Sequence, residues 1–416
     1  TSAILKYDNL ELEPIAAGRE QGVDSLLEGS IQRSGARIRV SVQLVRVSDT
    51  VPLWAGNFDE DFTDIFKLQD SISEQVTRAL LLKLTGEEER LIRKRYTEST
   101  EAYRLYMKGR FHWGKFNEQG LTKAIEYFNQ ALELDPNYAL AYVGLSISYN
   151  VQGAIGVRPP REVWQKAKFM AEKAAALDND LAEAHLSLGA VSLVYGWEWS
   201  VAEKELKRAI ELNPNYGEAY ELYGYYLQAT GQVDEAVTET IRAQDLDPLS
   251  AIISSDLGFA YYYARRYDEA IAAHWKAKEL DPKSIGSQFL LGQAYAQRGL
   301  YSEGIIECQK EISSAGRDPR IEFSLAYNYA KSGKRAEAEK LASELSAAWE
   351  RRYFPPFLMA IVYAGLENSD RALEWLDKAY DARDPQLIWV KVEPGLDRLH
   401  SDHRFKELLQ RMGLAH

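Results

Sequence analysis

The sequence predicts a mainly α protein, a solenoid of helical hairpins with a small α/β domain at its amino terminus. Two observations carry this prediction. Pro214, Pro248 and Pro282 stand 34 residues apart, and residues 37–44 alternate polar and apolar side chains. A fixed period of this length is typical of stacked helical repeats. Strict alternation is typical of a strand with one buried face.

Small residues share the period of the prolines. Gly224, Gly258 and Gly292 keep the same step, and Ala236 and Ala270 keep it at a second phase of the unit. We expect these residues where two helices cross and their backbones approach closely, because a large side chain would hold the helices apart. The prolines end each hairpin, since they remove a backbone donor and disfavour the helical conformation of the preceding residue. This is the tetratricopeptide pattern.

The same phase extends in both directions and predicts eight units between about residues 101 and 385. A long loop is expected near residues 150–163, where the second copy carries extra glycine and proline residues. The predicted domains are an α/β domain at 1–98, the repeat array at 99–385 and a capping segment at 386–416. A cap is expected because the last repeat of a stack must have its apolar face covered.

The α/β domain is predicted from three strand candidates and two helices. The strands are residues 25–33, 37–44 and 51–58, joined by short turns as an antiparallel meander. The helices are 14–21 and 66–84, the latter with apolar residues at helical spacing on one face.

Composition excludes several classes of function. The chain has 416 residues and a net charge of −12, which argues against a nucleic-acid partner. It contains no apolar run of 18 residues, so no membrane span is expected in this chain. Cys308 is the single cysteine, which excludes an intramolecular disulfide framework. No charged and apolar leader is visible at the amino terminus, so no signal peptide is predicted.

Several short motifs occur together in the first part of the chain. They are Glu20-Gln21-Gly22-Val23-Asp24, Leu27-Glu28-Gly29-Ser30, Arg37-Ile38-Arg39-Val40, Leu53-Trp54-Ala55 and Asp64-Ile65-Phe66-Lys67-Leu68-Gln69-Asp70. In these motifs the chain resembles the second half of the TolB amino-terminal-like domain. Its ending, residues 405–414, is similar to the ending of bacterial regulators that join such a domain to tetratricopeptide repeats.

The resemblance implies a sensory or scaffolding part of a bacterial signalling protein. In that family such halves often follow a membrane segment and an effector, which is a winged-helix DNA-binding domain, a serine/threonine kinase or a nucleotide cyclase. None of these effectors is in this sequence, and the first strand and helix of the family's α/β domain are missing from it. The resemblance favours a periplasmic over a cytoplasmic location.

No catalytic motif is found, and we expect no enzyme activity, no cofactor and no metal. His400 and His403 lack the further ligands of a zinc site, so a solvated connector is the better interpretation. His274 and Cys308 occupy one phase of adjacent repeats, which predicts core packing. The acidic run at residues 59–61 lacks the ligand spacing of a calcium loop.

The repeats themselves predict binding of a protein or peptide. Stacked hairpins form a superhelix whose concave face is lined by the first helix of every unit. Tyrosine suits such a surface, because it offers a large contact area, a polar tip and little rotamer entropy to lose. The residues predicted to line the groove are Tyr225, Gln228, Phe259, Tyr262, Tyr263, Phe289, Gln293, Gln297, Phe323 and Tyr327.

Two other functions stay open at this point. The first is an oligomerisation or assembly scaffold, a possible homo-oligomer in which the strand domain pairs with itself through its exposed edge. The second is a small-molecule sensor within the array, for which the loop at residues 150–163 is the candidate lid.

Overall fold

The computed structural model describes residues 14–20, 22–34, 37–61, 71–72, 75–76, 94–115, 117–281, 285–349 and 353–415. The predicted helix at 66–84 lies outside this set, except that residues 71–72 and 75–76 are helical. Contacts divide the chain into two compact units. One holds the sheet and extends to residue 108, with residues 130–138, and the other holds residues 109–129 and 139 onward.

The sheet confirms the predicted antiparallel meander. Helix α1 (Pro14–Glu20) precedes strands β1 (Ser25–Ser34), β2 (Arg37–Arg46) and β3 (Pro52–Asp61), which lie in the order β1-β2-β3. Along β2 the side chains alternate between buried and exposed, as the sequence pattern requires.

One face of the sheet is apolar and the other is polar. Val40 lies opposite Ile31 on β1 and Phe58 on β3, and Val40 and Phe58 are buried. On the polar face Arg39 and Asp59 form a bidentate pair across β2 and β3, at 2.6 and 2.7 Å. On β1 this face carries the exposed side chains of Leu27 and Ile31.

Between residues 100 and 382 the described chain forms sixteen α-helices that pair as eight antiparallel hairpins, as predicted. The helices are α2 (Thr100–Trp113), α3 (Glu118–Leu134), α4 (Ala139–Ala154), α5 (Pro160–Leu177), α6 (Ala182–Val191), α7 (Trp199–Leu212), α8 (Gly217–Thr230), α9 (Val233–Leu246), α10 (Ala251–Tyr263), α11 (Tyr267–Leu280), α12 (Ile285–Arg298), α13 (Tyr301–Ala315), α14 (Pro319–Lys331), α15 (Arg335–Trp349), α16 (Pro356–Gly365) and α17 (Ser369–Ala382).

The periodic glycines lie where the helices of a hairpin cross. A Cβ added at Gly109 would stand 2.5 Å from the ring of Phe128, and one at Gly258 would overlap the ring of His274. The large partner side chain fills the space that the glycine leaves, so a buried ring and a bare backbone face each other. This arrangement sets the close spacing of the helices.

The long loop predicted near residues 150–163 is shorter than expected. Helix α4 continues to Ala154 and α5 begins at Pro160, so residues 155–159 alone connect them. The extra residues extend both helices of the hairpin, to 16 and 18 residues against 14 and 14 in the hairpin of α8 and α9, instead of projecting as a lid. A similar local adjustment occurs after α6, which continues as a π-helical turn at Ser192–Gly196.

After α17 the chain turns back along the array. It forms two 3-10 turns, Pro385–Trp389 and Pro394–Leu399, and then α18 (His403–Arg411). We call residues 385–399 the C-terminal segment. Helix α18 packs on α17, where Arg411 contacts Asp377 at 2.8 Å. The apolar side of the last hairpin is thereby covered.

The third hairpin of the array, α6 and α7, meets the last hairpin and the residues that follow it. The guanidinium of Arg383 donates to the backbone oxygen of Tyr195 at 3.3 Å, and the rings of Trp197 and Tyr380 are 5.0 Å apart. The indole of Trp199 donates to the backbone oxygen of a residue just after α18, Met412, at 2.6 Å. The hairpins from α6 to α17 therefore close into a ring. Among the described residues no helix is long and apolar enough to cross a membrane.

Candidate functional site

The predicted groove residues lie on the first helices of successive hairpins, which contact each other and form the inner layer of the ring. Helices α8 and α10 carry five of them. We call Tyr225, Gln228, Phe259, Tyr262 and Tyr263 the aromatic face. They come together because the 34-residue period places equivalent positions of adjacent hairpins side by side.

The aromatic face is occupied by Trp389 of the C-terminal segment. The indole stacks on Phe259 and Tyr263, with ring centroids 5.3 and 5.8 Å apart and interplanar angles of 17° and 19°. Tyr225 meets the same indole edge-on at 5.4 Å. Offset stacking and edge-to-face contact are the favourable geometries of aromatic pairs. Trp389 is 9% exposed, so three rings of the face hold a nearly buried indole.

Polar atoms of the face recognise the same segment. The indole Nε1 of Trp389 donates to Oε1 of Gln228 at 3.0 Å. The hydroxyl of Tyr262 donates to Oε1 of Glu393 at 2.8 Å. Both hydrogen bonds are buried, where an unmade bond would leave a desolvated polar atom. The aromatic face thus binds two side chains, Trp389 and Glu393, that are four residues apart in the sequence.

Two further contacts at the edge of the face involve charges of the segment. Lys391 Nζ donates to the backbone oxygen of Thr230, at the end of α8, at 3.1 Å. Arg265 donates to Asp397 at 2.8 Å, in a partly exposed ion pair. Exposed pairs of this kind contribute little to stability and mainly fix register.

The remaining predicted groove residues lie on α12 and α14 and are mostly buried in the ring. Phe323 contacts Phe354 edge-on at 5.2 Å, and Gln297 donates to the hydroxyl of Tyr327 at 2.9 Å. Phe289 and Gln293 are 5% and 4% exposed. As partner-binding residues, all ten remain a prediction. Their surroundings include packing with this chain's own segments.

An acidic pair lies beside the aromatic face. Glu221 on α8 and Asp256 on α10 share a side-chain hydrogen bond, and Asp256 also bonds Tyr225. Burial, followed by the charge of Asp256, raises the pKa of Glu221, and burial raises the pKa of Asp256. Like charges this close cannot both ionise without loss, so the pair retains a proton.

The C-terminal segment and the residue just before it, Asp384, bring two buried carboxyl groups. Asp384 accepts from the backbone nitrogens of Phe357 and Gln386 at 2.8 and 2.9 Å, and Glu393 accepts from that of Gly395 at 2.8 Å. Each residue caps one of the two 3-10 turns. Burial raises the pKa of both carboxyl groups to about 7.

Two buried polar atoms on α8 and α10 are unsatisfied. Gln228 Nε2 and Asp256 Oδ2 are buried and find no hydrogen-bond partner among the described residues. One is a donor and the other an acceptor. The C-terminal segment therefore satisfies the aromatic face incompletely.

The residues considered for catalysis and metal binding either pack in the core or lie at the surface. His274 and Cys308 are 1% and 2% exposed and pack against the crossing glycines of their hairpins, as predicted. Burial lowers the pKa of His274 to about 3, so its ring is neutral. His400 stacks on Phe405, while His403 is exposed. Within the described ranges no group of three acidic, histidine or cysteine side chains is placed to hold a metal.

The sequence analysis did not predict that Trp389 packs on the aromatic face. The signal was available in residues 387–392, Leu-Ile-Trp-Val-Lys-Val, an apolar run that follows the last repeat and precedes the capping helix. An apolar run of this kind is expected to be buried against another apolar surface. In this structure it packs against the inner layer of the ring.

Comparison with family models identifies the repeats directly. Models described as tetratricopeptide repeat match residues 102–138 and 205–238. Among solved structures the chain is similar to PilF of Pseudomonas aeruginosa, with 18% identity and a TM-score of 0.40 over 52% of this chain and 93% of that one. It is also similar to a tetratricopeptide protein of Thermus thermophilus, with 20% identity and a TM-score of 0.40 over 46% and 98% of the two chains. The chain contains tetratricopeptide repeats.

Curated relatives resemble only part of the chain. A putative adenylate cyclase 3 of Rhizobium meliloti is 36% identical over 129 residues, which is 31% of this chain and 22% of the relative. The transcriptional regulator HilA of Salmonella typhimurium is 26% identical over 166 residues, which is 40% of this chain and 30% of the relative. The aligned regions thus span less than a third of the length of these relatives.

Proposed function

We propose that this chain is a non-enzymatic protein- or peptide-binding module and serves as the sensory or scaffolding part of a bacterial signalling or transcription-regulating protein. The tetratricopeptide fold supports an interaction role. The observation that carries the proposal is that the aromatic face holds a peptide segment through side-chain contacts, from Trp389 to Gln228 and from Glu393 to Tyr262. Surfaces with several tyrosines around one pocket are typical binding hot spots.

The regulatory context is supported by two kinds of resemblance. The relatives include a protein named as a putative adenylate cyclase and one named as a transcriptional regulator. The amino-terminal motifs resemble the TolB amino-terminal-like domain of bacterial regulators. In this proposal the effector belongs to the rest of such a protein, and the present chain supplies the contact with a partner protein.

The test replaces Tyr225 and Phe259, the two half-buried rings of the face, by alanine, singly. A partner is recovered from a bacterial lysate with the wild-type chain and then titrated against each variant. We expect binding to weaken more than tenfold, because an aromatic anchor commonly contributes about 2 kcal/mol or more. Lys207→Ala on α7 is the matched control and should bind like the wild type. Unchanged binding by folded Tyr225 and Phe259 variants would reject the face as the site.

A second candidate function is assembly through the sheet. Leu27 and Ile31 on the edge strand β1 are 48% and 74% exposed, on the same face as the buried Val40 and Val42. An exposed apolar edge favours pairing with another strand. Sedimentation of the wild-type chain and of Ile31→Lys tests this. A dimer that becomes a monomer in the variant supports the candidate, and a wild-type monomer excludes it.

A further inference from the structure

The C-terminal segment occupies the surface on which a partner would bind. We propose that this segment is an internal ligand of the aromatic face, and that the partner presents a peptide with an indole side chain and, four residues later across a tight turn, a carboxylate; in the internal segment the backbone nitrogen of Glu393 donates to the backbone oxygen of Trp389 at 3.0 Å. Such a peptide would compete with Trp389 and Glu393. This inference rests on the proposed function and adds to it the chemistry of the partner and the competitor that it displaces.

The side-chain chemistry of the internal ligand supplies the first argument. The aromatic face offers two stacked rings, one edge-on ring and an amide oxygen that accepts the indole N–H at 3.0 Å. The combination of flat stacking and one aligned acceptor fits tryptophan better than phenylalanine, which has no donor, or tyrosine, whose donor lies at the ring tip. The Tyr262 hydroxyl then fixes a carboxylate at 2.8 Å.

The two faces of the C-terminal segment supply the second argument. Trp389, Glu393 and Asp397 contact α8, α10 and the turn after α10. The second 3-10 turn instead packs on α16, where a Cβ at Gly395 would stand 2.8 Å from Ile361, and Leu396 is fully buried. The segment is thus anchored to the last hairpin on one side and docked on the aromatic face on the other. Undocking frees the face while the anchor to α16 stays in place.

The unsatisfied atoms supply the third argument. Gln228 Nε2 belongs to the amide that binds the indole, and Asp256 Oδ2 belongs to the carboxyl beside Tyr225. Both atoms are buried and find no partner in the described part of the chain. A peptide backbone carries one donor and one acceptor per residue, and it can satisfy both atoms where the internal segment satisfies neither. An external peptide with the same side chains therefore has hydrogen bonds to gain on replacing the internal one.

The test uses a fluorescein-labelled synthetic peptide with the sequence of residues 385–399 and measures its binding to the full chain by fluorescence anisotropy. We expect Trp389→Ala to bind the peptide at least tenfold more tightly than the wild type, because the internal competitor has lost its anchor. A peptide in which the tryptophan is replaced by alanine should bind at least tenfold more weakly than the unaltered peptide. Trp275→Ala, which removes an indole from α11, is the matched control and should bind like the wild type.

A second measurement remains decisive where Trp389→Ala does not fold. Amide hydrogen exchange is followed in the wild-type chain with and without excess unlabelled peptide. Displacement should accelerate exchange in residues 389–393 at least threefold and leave α16 and α17 unchanged. Exchange that is unaffected by the peptide at millimolar concentration would overturn the proposal and identify Trp389 as permanent core.

The two proposals fail separately. If a partner protein binds the wild-type chain and excess peptide does not weaken that binding, the internal-ligand proposal is overturned. The proposed binding function is unaffected by this outcome. Loss of partner binding in the Phe259 variant together with competition by the peptide supports both.

Discussion

The interior of each hairpin and the aromatic face are built from the same helices, yet different parts of the sequence determine them. Within a hairpin, Gly258 faces His274 across sixteen residues of sequence. On the aromatic face, Gln228 meets Trp389 across 161 residues. The first contact repeats with the period of the array, whereas the second occurs once. A repeat pattern therefore specifies hairpins, and a unique segment specifies what the assembled inner layer holds.

The largest effect is expected from the unique contact. Trp389→Ala removes an indole that three rings enclose, and substitutions of this kind cost about 3–5 kcal/mol of unfolding free energy. Urea unfolding of the variant and the wild type measures the loss. A smaller loss of unfolding free energy in Trp389→Ala than in the hairpin variant of the next paragraph would contradict this ranking. The C-terminal segment would then contribute little to the stability of the ring.

The hairpin interior is tested at its crossing glycine. Gly258→Leu should cost about 1–3 kcal/mol, since any side chain at this position overlaps His274 and forces the helices apart. Gly114→Ala is the control, because its added Cβ would stand 3.7 Å from the backbone oxygens of Arg110 and Phe111, an ordinary van der Waals distance. A Gly258→Leu chain that melts at the wild-type temperature would show that the crossing tolerates a larger spacing.

These two sites also show what the sequence can predict. The hairpins and the antiparallel sheet follow from local patterns, the 34-residue period of Gly224 and Gly258 and the alternation along β2. The closure of the ring does not follow, because it depends on pairs such as Trp199 and Met412 that are 213 residues apart. Nothing periodic marks such pairs, and superhelical curvature accumulates from small rotations at each repeat.

The groove residues illustrate the same limit. Tyr225 and Phe259 share a phase of the repeat and contact one indole together with Tyr263, because equivalent positions of stacked helices lie side by side. The positions of these residues in the repeat do not predict that the C-terminal segment packs on them. The helical spacing of apolar residues predicts that one face of a helix is apolar. It does not predict which distant segment of the chain packs on that face.

A smaller effect should appear in the pH dependence of stability. Burial raises the pKa of Glu393 from 4.5 to about 7 in the folded chain. Between these pH values the folded state binds more protons than the unfolded state, so this group's contribution to stability decreases as pH rises from about 4.5 to 7. Glu393→Gln should remove that contribution. The unfolding free energy should then fall less steeply with rising pH, by at most about 1.4 kcal/mol per pH unit.

Chemical unfolding at a series of pH values measures both slopes. The carboxyl of Asp384, whose pKa burial also raises to about 7, contributes in the same direction and remains in the variant. A residual slope is therefore expected in Glu393→Gln. A variant slope as steep as that of the wild type would show that Glu393 is ionised in the folded chain throughout this range.

The smallest effect is expected at the start of α10, the helix that carries three residues of the aromatic face. The hydroxyl of Ser250 accepts from the backbone nitrogen of Ile253 at 3.2 Å and caps the helix. Ser250→Ala should cost about 1 kcal/mol, because it leaves a terminal N–H without its acceptor. Gln232→Ala, at the equivalent position of α9 where no side chain caps the helix, should cost less. Equal losses at the two positions would mean that the cap contributes nothing. A loss confined to Ser250→Ala, with the binding of the labelled peptide unchanged, would show that local helix stability and occupancy of the aromatic face are separable.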